Sequence, residues 1–118
     1  MSFSASLATS TNFQSTQNAT IAATATSQSV EFSGSGTDFL FINTGTAEAF
    51  VAVGPSSVVA LAGGSVTAAN DGSISVPAGA VVVYNFRNAM VALKGAPPFV
   101  AAISPTGTLL RVSQGMGD

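Results

Sequence analysis

Apolar and polar positions alternate along this chain in short runs, each closed by glycine, proline or asparagine. The strongest pattern lies in residues 38–54, DFLFINTGTAEAFVAVG. Phe39, Leu40, Phe41 and Ile42 form an unbroken bulky run, as expected of a strand buried on both faces. From Ala47 to Val53 the chain alternates, with Ala47, Ala49, Val51 and Val53 on one side and Glu48, Phe50 and Ala52 on the other. The two strands are expected to pair as a hairpin over a tight turn at residues 43–46. Asn43 would start that turn by bonding its own backbone, and Gly45 would supply a positive φ.

Short strands are expected on both sides of this unit. Residues 18–32 (NATIAATATSQSVEF) hold two, and residues 33–37 (SGSGT) form a flexible link. The Gly54-Pro55 pair breaks the next strand. Residues 57–61 and 65–68 are short strand candidates, and Asn70-Asp71-Gly72 carries the chemistry of a type I′ hairpin turn. Residues 73–76 follow, then a turn at Pro77-Ala78-Gly79. Residues 80–86 (AVVVYNF), β-branched and aromatic, read as a central strand. Arg87-Asn88 reads as a break and residues 90–93 as another short strand, after which the two prolines of residues 94–98 exclude regular pairing. The last strands span residues 99–103 and 108–113 around Ser104-Pro105-Thr106-Gly107, with proline and glycine in good turn positions. Residues 114–118 (QGMGD) read as irregular. No segment sustains a 3.6-residue repeat with caps, and turns recur about every 8–12 residues, the spacing of an antiparallel sandwich, jelly roll or small barrel. Strand spacing alone does not choose among these topologies.

Residues 1–18 differ from the rest. They are Ser, Thr, Asn, Gln and Ala with Phe3, Leu7 and Phe13 spaced among them, and cannot build a core alone. A disordered tail seldom needs such large apolar residues. The stretch is therefore read as an extended N-terminal arm that orders on a neighbour, with Phe3, Leu7 and Phe13 as partner contacts. Residues 19–118 are read as one β-sandwich domain. Residues 1–13 have neither the basic start nor the continuous apolar core of a secretory leader.

Composition sharpens the picture. The 118 residues include no Cys, His or Trp, and only 7% are charged against 47% hydrophobic. An ordinary soluble domain carries roughly 25% charged residues. The surface must then be largely Ser, Thr, Asn, Gln, Gly and Ala, which can be buried against another protein with little ionic desolvation. That is the composition of a subunit that lives in an assembly. Three scattered cations, Arg87, Lys94 and Arg111, cannot neutralise a phosphate backbone, so no nucleic-acid partner is expected. No apolar run approaches the length that crosses a bilayer, so no membrane partner is expected either.

Candidate chemistry is sparse. Without His or Cys, nucleophile–histidine centres are excluded. Lys94, the single lysine, lies beside Gly95 and two prolines and reads as an exposed loop cation. Glu48 and Asp38 fall too far apart along the expected hairpin for acid/base work on a glycoside. Asn70 and Asp71 are explained by a turn rather than by calcium. Gly34-Ser35-Gly36 has no following helix and is no phosphate cradle, and Asn18-Ala19-Thr20 fits a glycosylation triplet without a secretory context. Tyr84 and Phe86 could stack on a sugar, though core packing is the plainer reading. No catalytic residue, cofactor or metal is expected, and the chain is not read as an enzyme.

Several segments together resemble a known family. The VPAG turn of residues 76–79 leads into an apolar strand, then PPFVAAIS (residues 97–104), then TGTLLRVSQGMG (residues 106–117), with NTGTAEAFVAVG (residues 43–54) upstream. These resemble the small jelly-roll decoration, or cement, proteins of tailed-bacteriophage capsids. The resemblance spans about residues 38–117 and rests on turns and strands, with no catalytic motif. It implies an all-β fold, an antiparallel β-sandwich or jelly roll. It also implies a structural virion role on the capsid surface, with assembly in the bacterial host cytoplasm. The implied partners are the major capsid protein and the chain itself, as a homodimer or homotrimer. Similar β-domains occur in phage fibres, spikes and tail tips, where the alternative is recognition of a host-surface glycan.

Overall fold

The computed structural model describes residues 18–61 and 72–115. The arm residues, the strand candidate at residues 65–68, Asn70 and Asp71, and residues 116–118 lie outside the described residues. Among the described residues there are eight strands: β1 (Asn18–Ala23), β2 (Gln28–Glu31), β3 (Asp38–Asn43), β4 (Ala49–Gly54), β5 (Ile74–Val76), β6 (Val81–Asn85), β7 (Phe99–Ile103) and β8 (Thr108–Gln114). One helix, α1 (Arg87–Leu93), lies between β6 and β7.

The strands make two four-stranded sheets, ordered β1-β8-β3-β6 and β2-β7-β4-β5. All pairings are antiparallel. β1 pairs with β8, β2 with β7, β3 with β6 and β4 with β5, as in a long hairpin rolled up about its middle; β3–β8 and β4–β7 ladders then close each sheet. This strand order is that of the jelly roll. We call the first sheet A and the second sheet B.

The expected central hairpin does not form. β3 lies in sheet A between β8 and β6, while β4 lies in sheet B between β7 and β5. Ile42 therefore pairs with Val81 and Arg111, and not with Ala47. Residues 44–48 bend over the end of the sandwich, so Phe39 and Phe41 of one strand and Ala49, Val51 and Val53 of the other meet in one core from opposite sides. Two distant partners for each strand outweigh one local partner because they bury both inner faces. Asn43 does start the turn, its Oδ1 accepting from the Gly45 N–H at 3.0 Å. Gly45 is not among the positive-φ residues. Its lack of a side chain is needed for close approach, since a Cβ would run into the Thr108 hydroxyl and reach the Leu109 nitrogen at 3.0 Å.

Tight connections of four or five residues gather at this end: residues 24–27, 44–48, 77–80 and 104–107. Buried Asn43 ties three of them together. Its Nδ2 donates to the carbonyls of Ala47 (2.8 Å) and Val76 (3.0 Å), and its Oδ1 also accepts from the Thr108 hydroxyl at 2.7 Å. With the Gly45 bond, every donor and acceptor of the amide is used. Ser104 adds the fourth connection, donating its hydroxyl to the Glu48 carbonyl (2.7 Å) and its N–H to the Thr24 carbonyl (2.9 Å).

The opposite end carries the longer connections. The glycine-rich loop at residues 33–37 is held by buried Gln114, whose Nε2 donates to the carbonyls of Gly34 (2.8 Å) and Gly36 (2.9 Å) while its Oε1 accepts from the Gly34 N–H (3.1 Å). The expected strand at residues 90–93 is instead the C-terminal part of α1. Ala, Met and Leu favour helix, and the segment stops at Lys94 in the left-handed region (φ 53°), followed by Gly95 at φ 89°. Seven residues make under two turns, too short to show a repeat. Ala89 of α1 is buried against the core. Residues 57–61 form no strand.

The core is aromatic. Phe39 meets Phe32 and Phe86 edge-on, with ring centroids 5.9 and 5.8 Å apart, and stacks on Phe41 at 6.5 Å. Phe41 also meets Phe86 edge-on at 6.1 Å. Such pairs add to plain area burial. We expect Phe41→Ala to cost about 3–5 kcal/mol, the range for emptying a fully buried aromatic site. Urea unfolding checks this, and a loss below about 1 kcal/mol would place the core elsewhere.

Candidate interaction surface

The outer faces of the two sheets differ. On sheet B, Ala52 and Ala101 are buried beneath residues 55–61, with Val58, Ala60 and Ile103 packed in the same small cluster. The segment turns back where the Val58 N–H donates to the Pro55 carbonyl at 2.7 Å, and it is held across the sheet by the Ala60 N–H on the Ser27 hydroxyl at 3.2 Å. Gly54 permits this, since a Cβ there would meet Val58 at 3.0 Å. Part of sheet B is thus sealed by its own chain.

Among the described residues, the corresponding positions on sheet A have no such cover. Alternation along each strand sends Leu40 and Ile42 of β3, Val81 and Val83 of β6 and Leu109 of β8 outward. Val81 is 63% exposed and Val83 53%, and Leu109 is also exposed, while Leu40 and Ile42 are half-buried. Register makes them neighbours: Ile42 lies opposite Val81 and Leu40 opposite Val83. The sequence pattern reads Phe39–Ile42 as buried on both sides, but only Phe39 and Phe41 face the core.

β6 is an edge strand, not the central strand its composition suggests. The Asn43 N–H donates to the Ala80 carbonyl (3.0 Å) and the Phe86 N–H to the Thr37 carbonyl (2.8 Å), which fixes the parity of the β3–β6 ladder. By that parity, Val82 and Tyr84 turn their backbone groups toward β3, and Val81 and Val83 turn theirs toward the free edge. The edge carries no charge, proline or bulge to guard it.

Charge flanks the patch. Arg111, exposed on β8, lies opposite Ile42, and Asp38 lies at the far end of β3, where its carboxylate accepts from the Asn85 amide at 2.9 Å. Arg111 also borders a shallow open depression of about 300 Å³ along the β1–β8 ladder, lined with Asn18, Thr20 and Ser113.

The other candidates scatter. Phe3, Leu7 and Phe13 lie outside the described residues. Tyr84 is half-buried with its ring edge-on to Phe86 at 4.7 Å. Asp38 opens β3, whereas Glu48 lies in the 44–48 connection just before β4, accepting from the Ser75 hydroxyl. Lys94 is exposed after α1. The Gly34–Gly36 loop spends its backbone on Gln114, and the Asn18 side chain accepts from the Ser113 hydroxyl. Among the described residues no three His, Cys, Asp or Glu gather as metal ligands, and no helix is long and apolar enough to cross a membrane.

No family model, curated protein or solved structure matches the chain.

Among the described residues the arrangement is an apolar patch of five aliphatic side chains beside an edge strand. Sequence reasoning missed it because an apolar run reads the same whether its second face is covered or left open. The available signal was the coincidence of two such runs, FLFI and VVVY, in one small chain. Amide hydrogen exchange tests the edge directly. The Val81 and Val83 amides should exchange far faster than those of Val82 and Tyr84, and equal protection of all four would mean that the edge is covered.

Proposed function

We propose that this chain is a structural virion protein, a decoration or cement subunit that binds the outside of a phage head and bridges neighbouring major capsid protein subunits. The observation that carries the reading is the jelly roll's apolar face, left without cover by the described residues, on a chain in which only 7% of residues are charged. Such a surface can be buried against protein with little ionic desolvation, and a subunit present in many copies gains affinity from several modest contacts. The resemblance carried by the VPAG, PPFVAAIS and TGTLLRVSQGMG segments supports the same role. In this reading Phe3, Leu7 and Phe13 of the arm are further partner contacts. A fibre, spike or tail-tip domain that binds a glycan draws less support, because Tyr84 packs against Phe86 rather than standing free to stack on a sugar.

The test is the copy number of this chain per purified particle, by quantitative mass spectrometry against the major capsid protein. Hundreds of copies in a simple ratio are expected. A few copies would move the protein to the tail, and absence from particles would end the virion reading. Deleting residues 1–12 should leave the fold intact, by circular dichroism, and weaken attachment to particles. Undiminished attachment would remove the arm from the account.

A further inference from the structure

The outer face of sheet A is self-complementary, and we propose that it docks a second copy of this chain, face to face, about a two-fold axis. The inference concerns the face alone and does not require the virion role.

Register sets the geometry of this face. On this face Arg111 stands opposite Ile42, and Asp38 lies four residues from Ile42 along β3. With a strand rise of about 3.3 Å per residue and a strand spacing of about 4.8 Å, the two charged positions are ~14 Å apart. Their midpoint falls beside Leu40, which pairs with Ser113. An in-plane two-fold axis through this midpoint, perpendicular to the Arg111–Asp38 line, runs past Leu40 and between Val81 and Val83. Rotation about it sets Arg111 of each copy over Asp38 of the other, Leu40 over Leu40, and Val81 over Val83. The apolar centre meets an apolar centre, and each charge at the rim meets its opposite. The same operation satisfies both terms, as an isologous interface requires.

The alternatives fit less well. Pairing β6 edge to edge would use the free backbone groups of Val81 and Val83 but leave the aliphatic face in water. Among the described residues of β3 and β8, a strongly charged partner would find on this face only Arg111 and Asp38, of opposite sign. The patch is small beside a standard interface of roughly 800 Å² per partner, so the dimer should dissociate on dilution.

Analytical ultracentrifugation of the full chain from low to high micromolar concentration tests this, with circular dichroism to confirm folding. The wild type should pass from monomer to dimer. Arg111→Glu and Asp38→Arg should each raise the dissociation constant about tenfold by setting like charges together. The double variant should return to within about threefold of wild type, because the two-fold brings the exchanged charges back into opposite pairs. Val83→Lys, at an exposed position that folding does not need, should abolish dimers. A wild type that stays monomeric throughout, or forms a trimer, would overturn the proposal. So would a double variant no tighter than either single one. Edge pairing would instead show as slowed exchange of the Val81 and Val83 amides with concentration, and would also overturn it. Copy number on particles bears on the virion role and leaves this test unaffected, so the two readings fail separately.

Discussion

The buried amide of Asn43 is the contact on which the rest of the jelly roll depends. Rolling eight strands into two sheets requires the chain to cross from sheet to sheet at its tight end, where short corners leave backbone carbonyls facing the interior. A carbonyl buried without a partner costs about 1–3 kcal/mol. Asn43 answers two of them, those of Ala47 and Val76, and takes the Gly45 N–H and the Thr108 hydroxyl in return. No apolar residue could do this, and no charged residue of similar size offers two donors and two acceptors. Gln114 repeats the device at the opposite end, holding the glycine-rich loop that leads into β3. Between these two amides the core can be wholly aromatic and aliphatic.

The fold was legible in the sequence at the level of strands and turns, and illegible in how they associate. Alternation placed Ala49, Val51 and Val53 together on the core side of β4, and the proline–glycine turns at residues 77–79 and 104–107 stand where expected. What the residues could not announce was that NTGT turns the chain between sheets. The local chemistry of an asparagine-started turn is the same whether its flanking strands pair or part. The decision is made by β8 and β7, far along the chain, which offer each strand a second partner. In the same way VVVY is strongly β-forming, but propensity reports a fit to a pleated surface and not a place in the strand order. The helix α1 was missed for want of length.

The candidate surface was hidden for a related reason. Leu40 and Ile42 belong to a run that looks doubly buried, and in the jelly roll only alternate members reach the core. Their outward neighbours Val81 and Val83 lie forty residues further on, so the patch exists only through register. Sheet B shows the contrast, since its small outward residues Ala52 and Ala101 are roofed by the chain's own segment after β4. Within the described residues part of one sheet is thereby covered, and the other keeps aliphatic side chains exposed.

An exposed aliphatic face beside an unguarded strand edge is usually suppressed, because it templates open-ended association. Among the described residues the other three edges are less inviting: β2 carries Gln28 and Glu31, β5 has three residues, and β1 turns Asn18 and Thr20 outward beside Ala22. The β6 side is thus the exception among the described residues, and the face-to-face pairing proposed above would give its aliphatic face an occupant that terminates growth. A heterologous contact would leave a second sticky surface and propagate, whereas a two-fold contact consumes both faces at once. The sparse charge of the chain makes this point sharper, since net charge of −2 supplies little repulsion to keep copies apart. Where electrostatic repulsion is weak, closing an apolar face against a definite partner is one route to solubility.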